Sequence, residues 1–221
     1  MSRKKAIILG TGAFAESVDF LLTHDSDYDV VAFTASADHV SVIEFLGRPL
    51  LEFENIEKKF SPSTHEMFVA IGYTKLNSIR EKFADAAFGK GFRLLTYICS
   101  KATTWPDLKI GKNCFVFEDN TIQPFVNIED NTVLWSGNHV GHHSRIGPNC
   151  FVTSHVVISG NCVIGSHSFI GVNASISEGV TIGERNLIGP GTLIQKSTGP
   201  DEAYIAERTE KYPKPSGRFF R

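Results

Sequence analysis

The sequence lacks every segment that would bring the protein to a membrane, a nucleic acid or an oxidising compartment. No apolar run reaches transmembrane length, and the four apolar residues before Gly10 are too few for the apolar region of a signal peptide. A net charge of −2 indicates neither nucleic acid nor an anionic membrane as a partner. The four cysteines form no CxxC pair, which argues against a zinc knuckle or a redox dithiol. We therefore predict a cytoplasmic protein with no membrane or nucleic-acid partner.

A strict hexapeptide repeat begins near residue 100. Glycine often follows the aliphatic residue, and the residue four places after it is usually small, as at Cys114, Cys150 and Cys162. Neither a helix nor an alternating strand has this period, whereas stacked coils of short strands do. The pattern resembles the left-handed parallel β-helix of the acyltransferase superfamily, in which three hexapeptides, each with one strand, make one coil. The aliphatic positions are Ile110, Val116, Ile122, Ile128, Leu134, Val140, Ile146, Val152, Ile158, Ile164, Ile170, Ile176, Ile182, Ile188 and Ile194.

The first part of the chain alternates apolar strands with helical segments. We predict strands at AIILG, DVVAFT, MFVAIG and RLLTYI, and helices at SVDFLLTH, NIEKKF and KLNSIREKFADAAFGKG. Such alternation is typical of a small parallel sheet of the Rossmann-like type, so the predicted fold class is α/β + β. The predicted division is 1–100 for this domain, 101–199 for the β-helix and 200–221 for a C-terminal tail.

A GxGxxA turn follows the first predicted strand directly. Gly10, Gly12 and Ala15 stand between strand and helix, where backbone N–H groups and the helix N-terminus can hold a phosphate. The second strand ends in Phe33 and Thr34 without the acidic residue that grips a ribose, which counts against a dinucleotide redox role. A structural turn without a ligand stays an alternative.

The stretch SGNHVGHHSRIG packs three histidines into five positions. His142 lies two residues after the inward Val140, so its ring points outward, and His139 and His143 point outward too. Residues three repeats apart stack in neighbouring coils, which puts Gly160 above His142. A neutral imidazole can remove a proton at neutral pH, and a nearby N–H can stabilise an oxyanion. Together these groups are the minimum apparatus for acyl transfer.

Other outward side chains have roles that the sequence leaves open. His139 and His143 either support the base or are simply exposed, and His155 either contacts substrate or is exposed. His167 is predicted to be exposed and idle. Trp135 is predicted to point outward near the cleft that contains His142, where it would serve subunit packing or ligand stacking. A rival metal enzyme of the γ-type carbonic anhydrase kind needs two histidines five apart on one strand. No pair among the β-helix histidines has that spacing, so we predict no metal.

From GTGAFAE and VAIGYTKLN to the last hexapeptide coil, the chain resembles the bacterial nucleotide-sugar acetyltransferases grouped with the sialic acid O-acetyltransferases. The resemblance implies an acetyl-CoA-dependent N-acetyltransferase for a nucleotide-linked 4-amino-4,6-dideoxy sugar, in lipopolysaccharide or other surface-glycan biosynthesis. It implies a homotrimer with acetyl-CoA, the cosubstrate, in a cleft between subunits. His142 would be the catalytic base, and the Gly160 N–H would face the acetyl carbonyl. The implied nucleotide-sugar contacts are Gly10, Thr11, Gly12, Ala13, Phe33, Thr34, Ile71, Gly72 and Tyr73.

The chain departs from this family in three places. His143 stands where the family often has a glutamate that orients the base, so the group that orients His142 is open. Thr34-Ala35-Ser36 replaces an acidic pair for the nucleobase, which disfavours uracil and leaves guanine and thymine open. The segment YIAERTEKYPKP replaces the usual loop after the last coil, so some coenzyme A contacts differ. The tail either covers the end of the β-helix or crosses to a neighbour.

The acceptor group is also open at the level of sequence. An amine is the better nucleophile and demands less of its base, which favours N-acetylation slightly. A sugar O-acetyltransferase of the sialic-acid type is the alternative. A sugar-nucleotide-binding protein without catalysis is the third possibility, and it would bind nucleotide without turnover.

Overall fold

The computed structural model describes residues 3–211, 213 and 215–216, which form an α/β sheet followed by a stack of coils. The sheet contains β1 (Lys4–Leu9), β2 (Tyr28–Ala35), β3 (Glu44–Phe45), β4 (Arg48–Glu52), β5 (His65–Val69) and β6 (Arg93–Leu94). The helices are α1 (Ala13–His24), α2 (Ile56–Lys59) and α3 (Ser78–Gly89), with 3₁₀ turns at Ala37–His39 and Phe53–Asn55. The strand order is β3-β4-β2-β1-β5-β6, and all neighbours are parallel except β3 and β4. None of the helices in the described ranges has the length and apolarity that a membrane crossing requires.

Strand β1 lies at the centre of this sheet and is covered on both sides. Ala6 and Ile8 pack in the cluster that contains the apolar face of α1, whereas Ile7 and Leu9 pack in the cluster that contains α2 and α3. A parallel strand covered by helices on both faces needs a continuous apolar run, which is what AIIL supplies. The carboxyl ends of β1, β2 and β5 therefore meet at one edge of the sheet.

Two features of this sheet differ from the prediction. The hairpin of β3 and β4 was not predicted. Leu46 and Gly47 in its turn both have positive φ, and the glycine is the part of this turn that the sequence shows. The segment RLLTYI is not one strand, as predicted, but two. Arg93–Leu94 pairs with β5, whereas Tyr97–Ile98 pairs with Phe115–Val116 in the first coil. The break comes at Thr96, whose Oγ1 donates to the carbonyl of Gly111 (2.6 Å) and so already belongs to the coils.

The coils form a left-handed parallel β-helix, which confirms the predicted fold class. Strands of successive coils are paired on each of its three faces. The docking face, which packs against the α/β sheet, comprises Tyr97–Ile98, Phe115–Val116, Val133–Leu134, Phe151–Val152, Phe169–Ile170, Leu187–Ile188 and Ala203–Tyr204. The neutral face comprises Thr121–Ile122, His139–Val140, Val157–Ile158, Ser175–Ile176 and Leu193–Ile194. The charged face comprises Lys109–Ile110, Asn127–Ile128, Arg145–Ile146, Val163–Ile164 and Thr181–Ile182.

The inward positions of the repeat form one continuous apolar core, as predicted. The aliphatic residues of the repeat are buried, except for Ile110 at the open end, which is half-buried. Cys114, Cys150 and Cys162 occupy small inward positions as free thiols. Burial raises the pKa of Cys114 and of Cys150 to about 12, so these thiols stay uncharged at neutral pH.

The start of the predicted tail belongs to the β-helix. Ala203–Tyr204 adds the last strand to the docking face by pairing with Leu187–Ile188. This part of the tail therefore covers the end of the face, in agreement with one of the two predicted alternatives. Tyr212, Lys214 and residues 217–221 lie outside the described residues.

Aromatic rings join the α/β domain to the docking face. The ring of Phe14, in the first turn of α1, lies 6.0 Å from Phe68 of β5 and 6.1 Å from Phe115 of the first coil, between ring centroids. Trp135 lies 5.7 Å from Phe14 and stacks on Phe117 at 4.1 Å. One apolar cluster thus continues from the sheet through α1 to the β-helix.

A carboxylate at the end of α1 ties the helix to the first coil. Asp25 accepts hydrogen bonds from Tyr97 Oη (2.6 Å) and from the Ser100 N–H (2.8 Å), and Ser100 Oγ also donates to it. Burial raises the pKa of Asp25, but the hydrogen bonds from Ser100 and Tyr97 lower it more, to about 2.

Helix α3 is joined to the other edge of the docking face by a buried cation. Arg80 is 0% exposed, and its Nη2 donates to the carbonyls of Asn131 (2.7 Å) and Cys150 (3.1 Å), while its Nε donates to Asn131 Oδ1 (3.1 Å). Within the described ranges no carboxylate pairs with it, and Nη1 has no partner. Burial lowers the pKa of Arg80 to about 10, which leaves it charged at neutral pH.

A column of asparagines at the same corner continues this contact. The amides of Asn113, Asn131 and Asn149 are hydrogen-bonded in series, and Asn149 Nδ2 donates to Glu81 of α3 at 2.7 Å. His167, one coil above Asn149, lies with its Nε2 3.0 Å from the other oxygen of Glu81. The prediction that His167 is idle is therefore wrong, because the arrival of α3 at this corner could not be seen from the repeat.

Candidate active site

His142 lies at the corner between the neutral face and the charged face. Its ring lies against Gly160 in the next coil, as the stacking of coils predicts. A Cβ on Gly160 would stand 2.7 Å from Cε1 and 2.8 Å from Nε2 of the imidazole. Only glycine therefore leaves room for the ring, and Nε2 faces the backbone of the neighbouring coil.

Gly160 also offers a free hydrogen-bond donor. Its neighbours in the chain, Ser159 and Asn161, donate their N–H groups to the carbonyls of Ile176 and His142. The Gly160 N–H itself has no acceptor among residues 3–211. Gly141, one coil below, contributes to the open space, because a Cβ there would collide with the Gly160 nitrogen. The corner thus combines an imidazole, an unpaired N–H and two glycines that keep both accessible.

Two further contacts hold His142. Its backbone N–H donates to Gln123 Oε1 at 2.9 Å, and its Nδ1 lies 3.1 Å from Nδ1 of His143. The His143 ring packs on Phe125 with centroids 4.6 Å apart. The role of Gln123 was not predicted, although the stacking rule could have found it, because Gln123 lies exactly one coil before Gly141.

The structure does not bring the other predicted supporting residues to His142. His139 is half-buried on the neutral face, and its strand pairs with those of Thr121 and Val157. His155 lies at the corner between the docking face and the neutral face, where its ring lies against Gly137. Trp135 packs against Phe117 and Phe14 within the chain, so its predicted place near the His142 cleft is wrong. The arrival of α1 on the docking face explains this difference.

A second candidate feature is a cleft at the carboxyl edge of the α/β sheet. Its volume is about 440 Å³. Of the predicted nucleotide-sugar residues it contains Gly10, Thr11, Gly12, Ala13, Ile71 and Gly72. The N–H groups of Gly12, Ala13 and Phe14 donate to no acceptor in the described part of the chain. Together with the dipole of α1, these groups are of the kind that can bind an anion such as a diphosphate.

Glycine is required at the first position of the turn. Gly10 has a φ of +134°, and a Cβ there would stand 2.7 Å from the carbonyl oxygen of Ala70. Gly12 has no such constraint, because a Cβ there would meet nothing within 4 Å. Gly12 is the N-cap of α1, and it makes no side-chain cap, so the first turn is left open to a ligand.

Phe33, Thr34 and Tyr73 do not line this cleft, contrary to the prediction. Phe33 and Thr34 are 0% exposed, and Thr34 Oγ1 donates to the carbonyl of Leu51 within the sheet. In this part of the chain, the residues that line the cleft are Ala35, Ser36 and His39. Tyr73 turns away and packs on Phe169 of the docking face at 4.8 Å. The strand is longer than predicted, which moves the contact positions toward its end.

The cleft and His142 lie on opposite sides of the β-helix. The α/β domain packs on the docking face, which borders two of the three corners. His142 occupies the third corner, between the neutral and charged faces. A molecule bound in the cleft of one chain is therefore remote from His142 of the same chain. In the described ranges no group of three or more His, Cys, Asp or Glu side chains could hold a metal ion.

Known proteins share both the coils and the α/β domain. The family model "Bacterial transferase hexapeptide (six repeats)" matches residues 125–160 and 161–196. No curated protein matches the chain. The crystal structure of a mutant perosamine N-acetyltransferase from Caulobacter crescentus, in complex with CoA and GDP-perosamine, is 25% identical with a TM-score of 0.82. The match covers 91% of this chain and 93% of that one.

Two more distant structures share the fold over nearly the whole chain. The acetyltransferase domain of PglB from Neisseria gonorrhoeae is 23% identical with a TM-score of 0.83, and covers 92% of this chain and 97% of that one. WeeI from Acinetobacter baumannii is 20% identical with a TM-score of 0.70, with the same coverage of 92% and 97%. These two structures show the shared fold, and the 25% identical perosamine N-acetyltransferase agrees with the resemblance that the sequence indicates.

Proposed function

We propose that this chain is an acetyl-CoA-dependent N-acetyltransferase that acetylates the amino group of a nucleotide-linked 4-amino-4,6-dideoxy sugar. The observation that carries the proposal is the His142 corner, where an imidazole lies against a glycine whose N–H has no acceptor among residues 3–211. The cleft at the start of α1 supplies a separate place for a diphosphate. The matching perosamine N-acetyltransferase, solved with CoA and GDP-perosamine, combines the same fold with the same two kinds of ligand.

The α/β domain, residues 1–100 in the proposed division, binds the nucleotide sugar. The free N–H groups of Gly12 and Ala13 hold the diphosphate, and the glycine at position 10 lets the backbone turn beside it. The nucleobase extends toward Ser36 and His39 at the end of β2. Among the described residues no carboxylate lines the cleft, which favours guanine or thymine over uracil as this family reads them.

The β-helix, residues 101–199 in the proposed division, transfers the acetyl group. The neutral amine of the sugar attacks the thioester carbonyl while Nε2 of His142 takes a proton from its nitrogen. The Gly160 N–H donates to the oxyanion of the tetrahedral intermediate. The carbon–sulfur bond then breaks, and the proton on His142 passes to the departing sulfur. An amine is a competent nucleophile, so no covalent enzyme intermediate forms.

The proposed enzyme is a homotrimer in which two copies make each site. Because the cleft and His142 lie on opposite sides of one β-helix, the sugar must reach His142 of a second copy. The neutral face fits such contact, since its outward strand residues are Thr121, His139, Val157, Ser175 and Leu193, with no carboxylate, lysine or arginine. Acetyl-CoA lies along the β-helix between the copies. The proposed place of work is the cytoplasm, in the synthesis of lipopolysaccharide or another surface glycan.

The test of the activity is release of free coenzyme A thiol from acetyl-CoA by the purified chain. The acceptor panel contains UDP-, dTDP- and GDP-linked 4-amino-6-deoxy sugars, with free sialic acid beside them. Turnover with one nucleotide amino sugar is the expected result and identifies the nucleobase. Turnover with sialic acid alone would replace the proposal by O-acetylation. Nucleotide binding without any thiol release would replace the proposal by a sugar-nucleotide-binding protein without catalysis.

The shared site has a test of its own, by co-expression of two variants that are each nearly inactive when the nucleotide sugar is supplied far below its KM. His142→Asn removes the base, and Gly12→Asp places a carboxylate where the diphosphate binds. If each site combines the cleft of one copy with His142 of the next, random mixing restores about a quarter of wild-type activity. If each site lies within one chain, every site keeps one defect and the mixture stays inactive.

A further inference from the structure

The contact between His142 and His143 is a feature of the corner that the proposed mechanism does not use. The two Nδ1 atoms lie 3.1 Å apart, and the ring planes are nearly perpendicular, at 85°. This is a hydrogen-bond distance between two nitrogens, so one proton lies between them. If both Nδ1 atoms carried a proton, the two protons would repel each other. If neither carried one, two lone pairs would face each other.

The position of that proton decides whether His142 can act as a base. When the proton is on Nδ1 of His142, its Nε2 carries a lone pair, and Nε2 is the nitrogen that faces Gly160. When the proton is on Nδ1 of His143, Nδ1 of neutral His142 is the acceptor, and its Nε2 is protonated. Only the first arrangement can remove a proton from a substrate.

His143 is held so that its Nδ1 stays directed at His142. Its φ of +59° belongs to the left-handed region, and its backbone N–H donates to the carbonyl of Pro124 at 3.2 Å. Its ring packs on Phe125 at 4.6 Å. The imidazole is exposed otherwise, so water can keep a proton on Nε2 while Nδ1 accepts.

No charged side chain competes for this contact within the described ranges. Gln123, Pro124 and Phe125 in the coil below are uncharged, as are Gly160 and Asn161 in the coil above. Glu178, in the coil above Asn161, accepts from Asn161 Nδ2 at 3.3 Å, and Asp107, in the coil below Phe125, accepts from the Phe125 N–H at 2.6 Å. In the same coil, Arg145 donates to Glu129 on the charged face.

We propose that His143 is the positioning residue of the base, and that it sets the tautomer of His142 by accepting a hydrogen bond from its Nδ1–H. The proposal rests on the proposed function. As His142 takes the substrate proton, its Nδ1–H keeps donating to neutral His143, which stabilises the imidazolium. A neutral imidazole thus does the work of a carboxylate.

Three substitutions at this one position test the proposal. His143→Gly removes the acceptor at no backbone cost, because glycine adopts the left-handed conformation freely. We expect kcat to fall about 10-fold to 100-fold with little change in either KM, the range seen when partners of functional histidines are removed. His143→Asn also tolerates positive φ, as the same turn position does at Asn161 and Asn173, and its Oδ1 can accept. It should recover most of the lost rate.

The third variant is expected to shift the pH dependence of kcat/KM rather than to lower its maximum. His143→Glu places an anion beside His142 and favours its charged form, so the acid limb of kcat/KM should shift to higher pH, by about one unit. His167→Asn is the matched control, since His167 has the same phase and a φ of +59° but lies at another corner. It should leave both the rate and the profile unchanged. A glycine variant with the wild-type rate and wild-type pH profile would overturn the proposal.

A measurement that needs no turnover separates this proposal from the proposed function. Nitrogen chemical shifts of ¹⁵N-histidine distinguish the two neutral tautomers, and the His142→Asn variant assigns the signal. We expect His142 to carry its proton on Nδ1 in the wild-type protein, and on Nε2, the nitrogen that a free neutral histidine side chain prefers, in His143→Gly. The same tautomer in both proteins would defeat the positioning role. Absence of acetyl transfer, with the tautomer change observed, would defeat only the proposed function.

Discussion

The cleft proposed for the nucleotide sugar and the His142 corner both depend on glycine, but for different reasons. In the cleft, Gly10 frees the backbone itself, whose N–H groups are the binding groups, and no side chain is needed to hold an anion. At the corner, Gly160 makes room for a side chain, and the chemistry depends on one imidazole. The cleft should therefore control binding, whereas the corner should control the rate of the chemical step.

The largest expected effect comes from removing the base. His142→Asn should lower kcat by about 10²–10⁴-fold, because general base catalysis contributes on that order, while binding of the nucleotide sugar changes little. Steady-state kinetics with a direct titration of nucleotide affinity measure both. If affinity falls as much as kcat, the division between a binding cleft and a chemical corner is wrong.

The two glycines of the cleft should differ in stability. Gly10→Ala puts a Cβ 2.7 Å from the Ala70 carbonyl oxygen at a φ of +134°, so it should cost about 1–3 kcal/mol. Gly12→Ala meets nothing within 4 Å and should leave the free energy of unfolding almost unchanged. Urea unfolding of both variants gives the comparison. Equal losses would show that the turn, rather than the close approach to Ala70, sets the requirement.

A charge at the N-cap of α1 should separate stability from binding. Gly12→Asp supplies the side-chain cap that the helix lacks and complements its dipole, so the fold should not be weakened. The same carboxylate repels a diphosphate, and the KM for the nucleotide sugar should rise about tenfold or more while the KM for acetyl-CoA stays constant. A parallel rise in both KM values would contradict the assignment of the cleft.

The smallest expected effect concerns the junction between the α/β domain and the β-helix. The pKa of Asp25 is about 2 in the folded chain against an ordinary 3.8, so its stabilising effect is present above the higher value. That contribution should be lost as the pH falls from about 4 toward 2, and Asp25→Asn should abolish this part of the pH dependence. Unfolding measured at pH 6 and at pH 3 tests the sign. A variant that keeps the wild-type difference would place its origin elsewhere.

The hexapeptide repeat explains why so much of the corner could be predicted from sequence. Where the backbone repeats, the phase of a residue fixes its direction, and the stacking rule places its neighbour one coil further along the chain. His142, Gly160 and the inward cysteines lie where that rule puts them. Their chemical roles still need experiment.

The side chains that the repeat misplaced are those that a second domain contacts. Trp135 and His167 have ordinary outward phases, but α1 and α3 arrive beside them. The α/β domain has no period, so its elements could be predicted and its contacts could not. The division of RLLTYI depends on Thr96 meeting Gly111, a contact that no local pattern announces.

The polar contacts of α3 have a consequence for the register of the two domains. A β-helix is close to translationally symmetric, and the apolar surface of one coil recurs in the next, about 4.8 Å away. Apolar packing alone would allow the α/β domain to slide by one coil. The carbonyls that accept from Arg80 recur in every coil, but the side chains at this corner do not. Glu81 contacts Asn149 and His167, where the column changes from asparagine to histidine, and a slip by one coil would break this pair of contacts. These polar contacts thus fix one register on a repeating scaffold, and in the proposed trimer that register would set the height at which the cleft meets a neighbouring copy.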